Sequence, residues 1–264
     1  MNVGAKPRQC TTGSVQAGTR KQGLRRAPLE MTSRERFPGQ EAIRALARLP
    51  SRLIFVAMSD LQGVIFDYGG VLVEYQPAAD LRRLEALAGM EAGPFEAIYW
   101  KHRVAYDTDE IDGPAYWERV GSESGRRYTA DQIKALIDAD TKSWTHQNAV
   151  MVRWVKALQA AGIATAVLSN MGVELRAHVE QLDWMKAFPV RVYSCDLKVK
   201  KPNKVIYERC LEELRIAPGR ALFLDDRVEN VEGARALGLR AHLFSSAEGL
   251  ARELASEPGL PPIV

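Results

Sequence analysis

Four short segments of this 264-residue chain hold residue types that could do chemistry on a charged substrate. Asp67 follows Val64-Ile65-Phe66 and precedes Tyr68-Gly69-Gly70. Ser169-Asn170 closes the run Ile163–Leu168, Lys201-Pro202 lies in a later loop, and Asp225-Asp226 closes Ala221–Leu224. Two adjacent carboxylates after an apolar run repel each other and invite a cation. A lysine, a hydroxyl and an amide each favour the oxygens of an anion. Singly, each segment has an ordinary explanation: Asp serves turns, Ser and Asn cap helices, and Lys-Pro marks a loop. Together they describe a place where a cation and an anionic group meet.

The elements that must position them come next. Val64–Phe66, Ile163–Leu168, Val190–Ser194, Ala221–Leu224 and Ala241–Phe244 read as short buried strands. Helical segments are expected at 147–162, Glu174–Leu182, Asn203–Leu214 and Glu229–Leu237, the first and last stopped by Gly162 and Gly238. Alternation of short apolar strands with helices predicts a doubly wound parallel sheet covered on both faces. In such a sheet, ligands bind outside the carboxyl ends of the strands, where all four segments fall. Between Pro77 and His146 the rhythm is purely helical, with segments at Ala78–Ala88, Pro94–Tyr106, Gly113–Gly121 and Ala130–Trp144. This block, 77–146, is expected to be an all-helical lobe inserted after the first strand. The core would then comprise 58–76 and 147–264.

Residues 1–57 differ in kind. They carry eleven basic and three acidic residues, a net +8, which leaves −5 for the remainder of a chain whose total is +3. Apart from a helical spacing of Ile43, Leu46 and Leu49, they show no apolar period, and a disordered basic extension is expected. A targeting peptide, a nucleic-acid arm and an upstream extension all fit its composition. The last is preferred, because Met58, followed by Ser-Asp-Leu-Gln and then the first strand, is a natural start for a compact domain. No nucleic-acid or membrane partner is expected. The longest apolar run, Leu53 to Met58, is far below the ~20 residues of a membrane helix. Three scattered cysteines (Cys10, Cys195, Cys210) make neither a disulfide framework nor a zinc site, and point to a reducing, cytoplasmic setting.

The segments Ile65-Phe66-Asp67-Tyr68-Gly69-Gly70-Val71-Leu72, Leu168-Ser169-Asn170, Lys201-Pro202 and Phe223-Leu224-Asp225-Asp226 with Asn230 resemble the four motifs of the haloacid dehalogenase-like (HAD) hydrolase superfamily, in its helical-cap subgroup. The opening motif and the cap stretch through Trp100, Arg103, Tyr106, Asp107, Ile111, Tyr116 and Trp117 resemble the branch of glucose-1-phosphate phosphatases and the epoxide hydrolase phosphatase domain. The resemblance covers 58–246. It implies a phosphatase that forms an aspartyl-phosphate on Asp67. Asp67, Asp226 and the Gly69 carbonyl would hold Mg²⁺. Asp225 would join the cluster, chiefly by orienting the metal shell or Lys201, with Asn230 supporting the metal end. Lys201 would balance charge on the transferring group. Ser169, Asn170 and backbone N–H groups at Gly69-Gly70 would grip phosphate oxygens. Trp100, Arg103 and Tyr106, three residues apart, would share a helix face that either meets substrate or packs inside the cap.

One position departs from the superfamily pattern. Most of its phosphatases carry a second aspartate two residues after the nucleophile, as general acid and base; here it is Gly69. Such help is typically worth 10²–10⁴-fold. A good leaving group such as a sugar 1-phosphate, an acid from the cap (Tyr106, Asp107 or His102), or a slow or purely binding role would each accommodate the change. Two alternatives stand beside the phosphatase: a metal-independent haloacid dehalogenase, and a degenerate binding protein. Cys195 reads as a packing residue. Substrate identity and oligomeric state are not legible.

Overall fold

The computed structural model describes residues 60–264. The basic extension, the Ile43–Leu49 helical spacing and Cys10 lie outside the described residues. Five parallel strands, β1 (Gly63–Phe66), β2 (Ala164–Ser169), β3 (Val190–Tyr193), β4 (Ala221–Asp225) and β5 (Arg240–Leu243), form one sheet in the order β3-β2-β1-β4-β5. The chain builds outward from β1 through β2 to β3, then crosses back to place β4 on the other side of β1. The topological switch point therefore falls between β1 and β4, where a doubly wound sheet opens its binding crevice. The register pairs Phe66 with Val167 on one side and Leu224 on the other, so the next residue, Asp67, emerges at that crevice. Its N–H donates to the Leu224 carbonyl at 2.8 Å.

Alternating side chains send Val64, Phe66, Leu222 and Leu224 into one apolar cluster and Ile65, Ala221 and Phe223 into the other. The first cluster is covered by α6 (Ala149–Ala160), α7 (Val173–Val179) and α11 (Ala247–Glu253). The second is covered by α9 (Lys204–Leu214) and α10 (Val228–Ala236). A short α8 (Ser194–Leu197) follows β3. Neither α8 nor α11 has an expectation in the sequence reading.

The inserted block holds α1 (Ala78–Ala88), α2 (Ala92–Lys101), α3 (Arg103–Asp107), α4 (Gly113–Glu123) and α5 (Ala130–Ser143). Its apolar side chains, from Leu84 to Ala139, make a third cluster of their own. The helix expected over Pro94–Tyr106 is instead two helices. The break is at His102, which at φ −96° and ψ −2° caps the first helix and starts the second. No Gly or Pro marks this break in the sequence. It also divides the expected shared face: Trp100 is half-exposed, while Arg103 and Tyr106 are buried. Among the described residues no helix is long and apolar enough to cross a membrane.

Candidate active site

The apolar strands end abruptly in polar residues, and those residues converge. The Lys201 ammonium donates to Asp67 Oδ1 and to Asp225 Oδ2, each at 2.7 Å, with almost no exposure of the lysine. Asp225 closes β4 and is fully buried. Its Oδ1 accepts the Arg227 N–H and the Asn230 amide, each at 2.9 Å, and its Oδ2 accepts the same amide at 3.1 Å. Asn230, on the first turns of α10, thus faces Asp225. Asp67 Oδ1 also accepts the Tyr68 N–H at 2.7 Å. Asp226 points toward the cavity, where the Tyr75 hydroxyl donates to it.

Carboxylate oxygens of Asp67, Asp225 and Asp226 lie within 4.8 Å of one another. Burial, then Asp225, raise the Asp67 pKa well above the carboxylate range, and Lys201 opposes them only in part. Burial likewise raises that of Asp226. Burial works against the Lys201 charge, but Asp225 and Asp67 outweigh it and raise its pKa. Three carboxylates around one ammonium leave an excess of negative charge. A hard divalent cation with oxygen ligands fits this donor set.

Gly70 is required by the same packing. Its φ is +74°, and a β-carbon there would stand 2.9 Å from the Asp226 carboxylate. Gly69 lines the cavity beneath the Trp144 indole, which would be 3.2 Å from a β-carbon on it. The space an acid side chain would enter is thus bounded by an aromatic ring.

These residues open on a cavity of about 570 Å³. Of the residues expected in the site, Asp67, Gly69, Trp100, Arg103, Ser169, Asn170, Lys201, Asp226 and Asn230 line it. Asp225 lies behind its floor. The Ser169 hydroxyl faces it with no hydrogen bond to a described residue. Asn170 also clamps the Lys201 loop, donating one amide hydrogen to the Lys201 carbonyl at 3.2 Å and accepting the Lys201 N–H at 2.8 Å, while it lines the cavity. Two expected residues, Gly70 and Tyr106, are not on the cavity wall. Gly70 packs against Asp226 instead of lining the cavity. Tyr106 is buried in the cap, stacked on Tyr116 at 4.8 Å, because the break at His102 turns it inward.

Arg103 is an internal strut as well as a lining residue. Its guanidinium donates to Asp107 at 3.1 Å, Asp140 at 2.9 Å and the Tyr99 hydroxyl at 2.7 Å. Asp107 also lines the cavity, and burial, partly offset by Arg103, pushes its pKa up to about 6. His102 bonds Glu123 and is not on the cavity wall. Cys195 is buried in the core, where burial pushes its thiol up to about 12. Sequence reasoning passed over Tyr75, Trp144, Val104, Leu175 and Lys200 as lining residues. Arg227 and Glu229 also line the cavity, and Lys200 and Arg227, each adjoining a motif, had a usable signal.

Residues 61–238 match the family model of haloacid dehalogenase-like hydrolases. Mouse acyl-CoA dehydrogenase family member 10 is 28% identical over 76% of this chain, which spans only 19% of that protein. The sesquiterpene phosphatase astK of Aspergillus oryzae is 22% identical over 67% of this chain and 87% of its own length. Mouse bifunctional epoxide hydrolase 2 is 27% identical over 75% of this chain and 39% of its own length. Among solved structures, a HAD family enzyme of Bacteroides thetaiotaomicron in complex with magnesium and inorganic phosphate superposes with a TM-score of 0.57 at 17% identity, covering 70% of this chain and 94% of that one. The L-2-haloacid dehalogenase of Xanthobacter autotrophicus gives 0.57 at 20% identity, covering 76% and 85%. These two likenesses concern the fold.

Proposed function

Because the chain belongs to the haloacid dehalogenase-like hydrolases, we propose that this hydrolase is a magnesium-dependent phosphatase of small-metabolite phosphomonoesters. The observation that carries the reading is the group of buried Asp67 and Asp225 with half-buried Asp226, carboxylate oxygens within 4.8 Å of each other, the first two held by one lysine. Phosphatases among the relatives, and a neighbour holding magnesium with phosphate, support it. A metal-free dehalogenase would gain nothing from the adjacent Asp225-Asp226 pair.

Asp67, Asp226 and the Gly69 carbonyl would hold the cation, with Asp225 behind them. Bound there, Mg²⁺ would screen the carboxylates from the incoming phosphate. Asp67 attacks phosphorus; its new O–P bond forms as the ester P–O bond breaks and the alcohol departs. Water then cleaves the aspartyl-phosphate, releasing phosphate and restoring Asp67. Lys201 balances the charge gathered on the transferring group. The Ser169 hydroxyl donates to a phosphate oxygen. With glycine at position 69, we assign the proton for the departing oxygen to Asp107, whose carboxyl lines the cavity and holds its proton to about pH 6.

We further assign 58–76 and 147–264 to a core domain, 77–146 to a cap that closes over substrate, and 1–57 to an extension that catalysis does not need. Three scattered cysteines without a paired spacing favour a reducing compartment such as the cytoplasm.

The test is a phosphate-release screen over metabolite phosphomonoesters, with Mg²⁺ and with chelator. Turnover that needs Mg²⁺ and disappears in Asp67→Asn is expected. An Asp67→Asn protein with undiminished turnover, or halide release from 2-haloacids without metal, would overturn the reading.

A further inference from the structure

One wall of the cavity, starting beside Asp226 and running outward, has a different character. Tyr75, Trp100, Val104, Trp144 and Leu175 line it. Tyr75 is 61% exposed, Val104 48% and Trp100 43%. Trp144 and Leu175 are buried behind these three, and large exposed apolar side chains gathered on a concave wall mark a binding surface. Tyr75 and Trp100 each have their ring centroid 6.4 Å from that of Trp144, at 59° and 77°, so the buried indole backs and joins the two exposed rings. Gly69 permits this, because a side chain there would crowd the Trp144 ring.

Apart from Asp107, the polar groups of the cap that reach the cavity are already engaged. Arg103 is held by Asp107, Asp140 and Tyr99, and the Trp144 N–H donates to the Tyr99 hydroxyl at 3.2 Å. A polyol set against this wall would trade water for ring faces, with its hydroxyls reaching polar partners only where Lys200, Arg227 and Glu229 line the rest of the cavity. A flat apolar group would cover the exposed rings and gain from stacking. We propose that the organic part of the phosphoester is apolar and flat, an arylalkyl or similar group, and that Trp100 and Trp144 read it. This rests on the phosphatase reading and names the substrate class of the same site.

Esters of primary alcohols keep leaving-group chemistry comparable: 2-phenylethyl phosphate against glycerol 3-phosphate and glucose 6-phosphate, with Mg²⁺ present. The full-length protein should show kcat/KM at least about tenfold higher for the phenylethyl ester. Trp100→Ala should erase most of that preference, and Trp100→Phe should keep much of it. In calorimetry, 2-phenylethylphosphonate should bind Trp100→Ala about tenfold more weakly than wild type, while binding of inorganic phosphate is unmoved. Equal or better turnover of the polyol esters, or equal losses on all three esters in Trp100→Ala, would overturn this inference and leave the phosphatase standing. Failure to hydrolyse any phosphomonoester would remove both.

Discussion

The Asp225 carboxylate holds the Lys201 ammonium at 2.7 Å in a place solvent scarcely reaches, with side-chain exposures of 0% and 1%. The pair ties β4 to the loop after β3, and the same ammonium reaches Asp67 at the end of β1. Truncating Lys201 would leave two buried carboxylates facing each other without a counter-charge. Breaking a buried pair in this way typically costs about 3–5 kcal/mol. Lys201→Met should therefore lower the urea midpoint of unfolding substantially and reduce phosphatase kcat by at least about 10²-fold. A variant with unchanged stability and turnover would show that Lys201 neither braces nor serves the site.

Gly70 offers a separate test of the metal end, because its side chain would touch no substrate. Gly70→Ala would place a residue at φ +74° and press its β-carbon to 2.9 Å from the Asp226 carboxylate. Strain of this kind costs about 1–3 kcal/mol. The displacement of Asp226 should also raise the Mg²⁺ concentration needed for half-maximal activity by about tenfold or more. Titrating activity against Mg²⁺ checks it; an unchanged midpoint would detach Asp226 from metal binding.

The parts legible in the sequence share one physical mark, an apolar run that stops at a polar residue. Phe66 before Asp67, Leu168 before Ser169 and Leu224 before Asp225 place the sheet and the crevice together, since a buried strand fixes where its next residue emerges. Asn170 was equally visible, but nothing local could say that its amide would clamp the Lys201 backbone, a contact made across 31 positions. The break at His102 carries no Gly or Pro. It follows from tertiary packing, in which Arg103 turns in to meet Asp140 and Tyr99. Trp144 reads as one more residue at the end of a helical segment. Only the fold shows its ring over Gly69, so the aromatic wall was not legible.

Asp107 yields the pH dependence. Burial pushes its pKa up to about 6, against an ordinary 3.8, and Arg103 only partly opposes the shift. A general acid must carry its proton, so its contribution is full below pH 6 and declines as pH rises through that value. The decline should be steep for phosphates of alkyl alcohols, whose departing oxygen needs a proton, and slight for 4-nitrophenyl phosphate, whose leaving group does not. Asp107→Asn should accordingly lose about 10²-fold or more on 2-phenylethyl phosphate and remove the limb near pH 6, while turnover of 4-nitrophenyl phosphate falls much less. Circular dichroism of the variant separates this from a collapse of the Arg103 network, which would depress both esters alike. Equal losses on the two esters in a folded variant, with the pH limb intact, would assign the proton to another group.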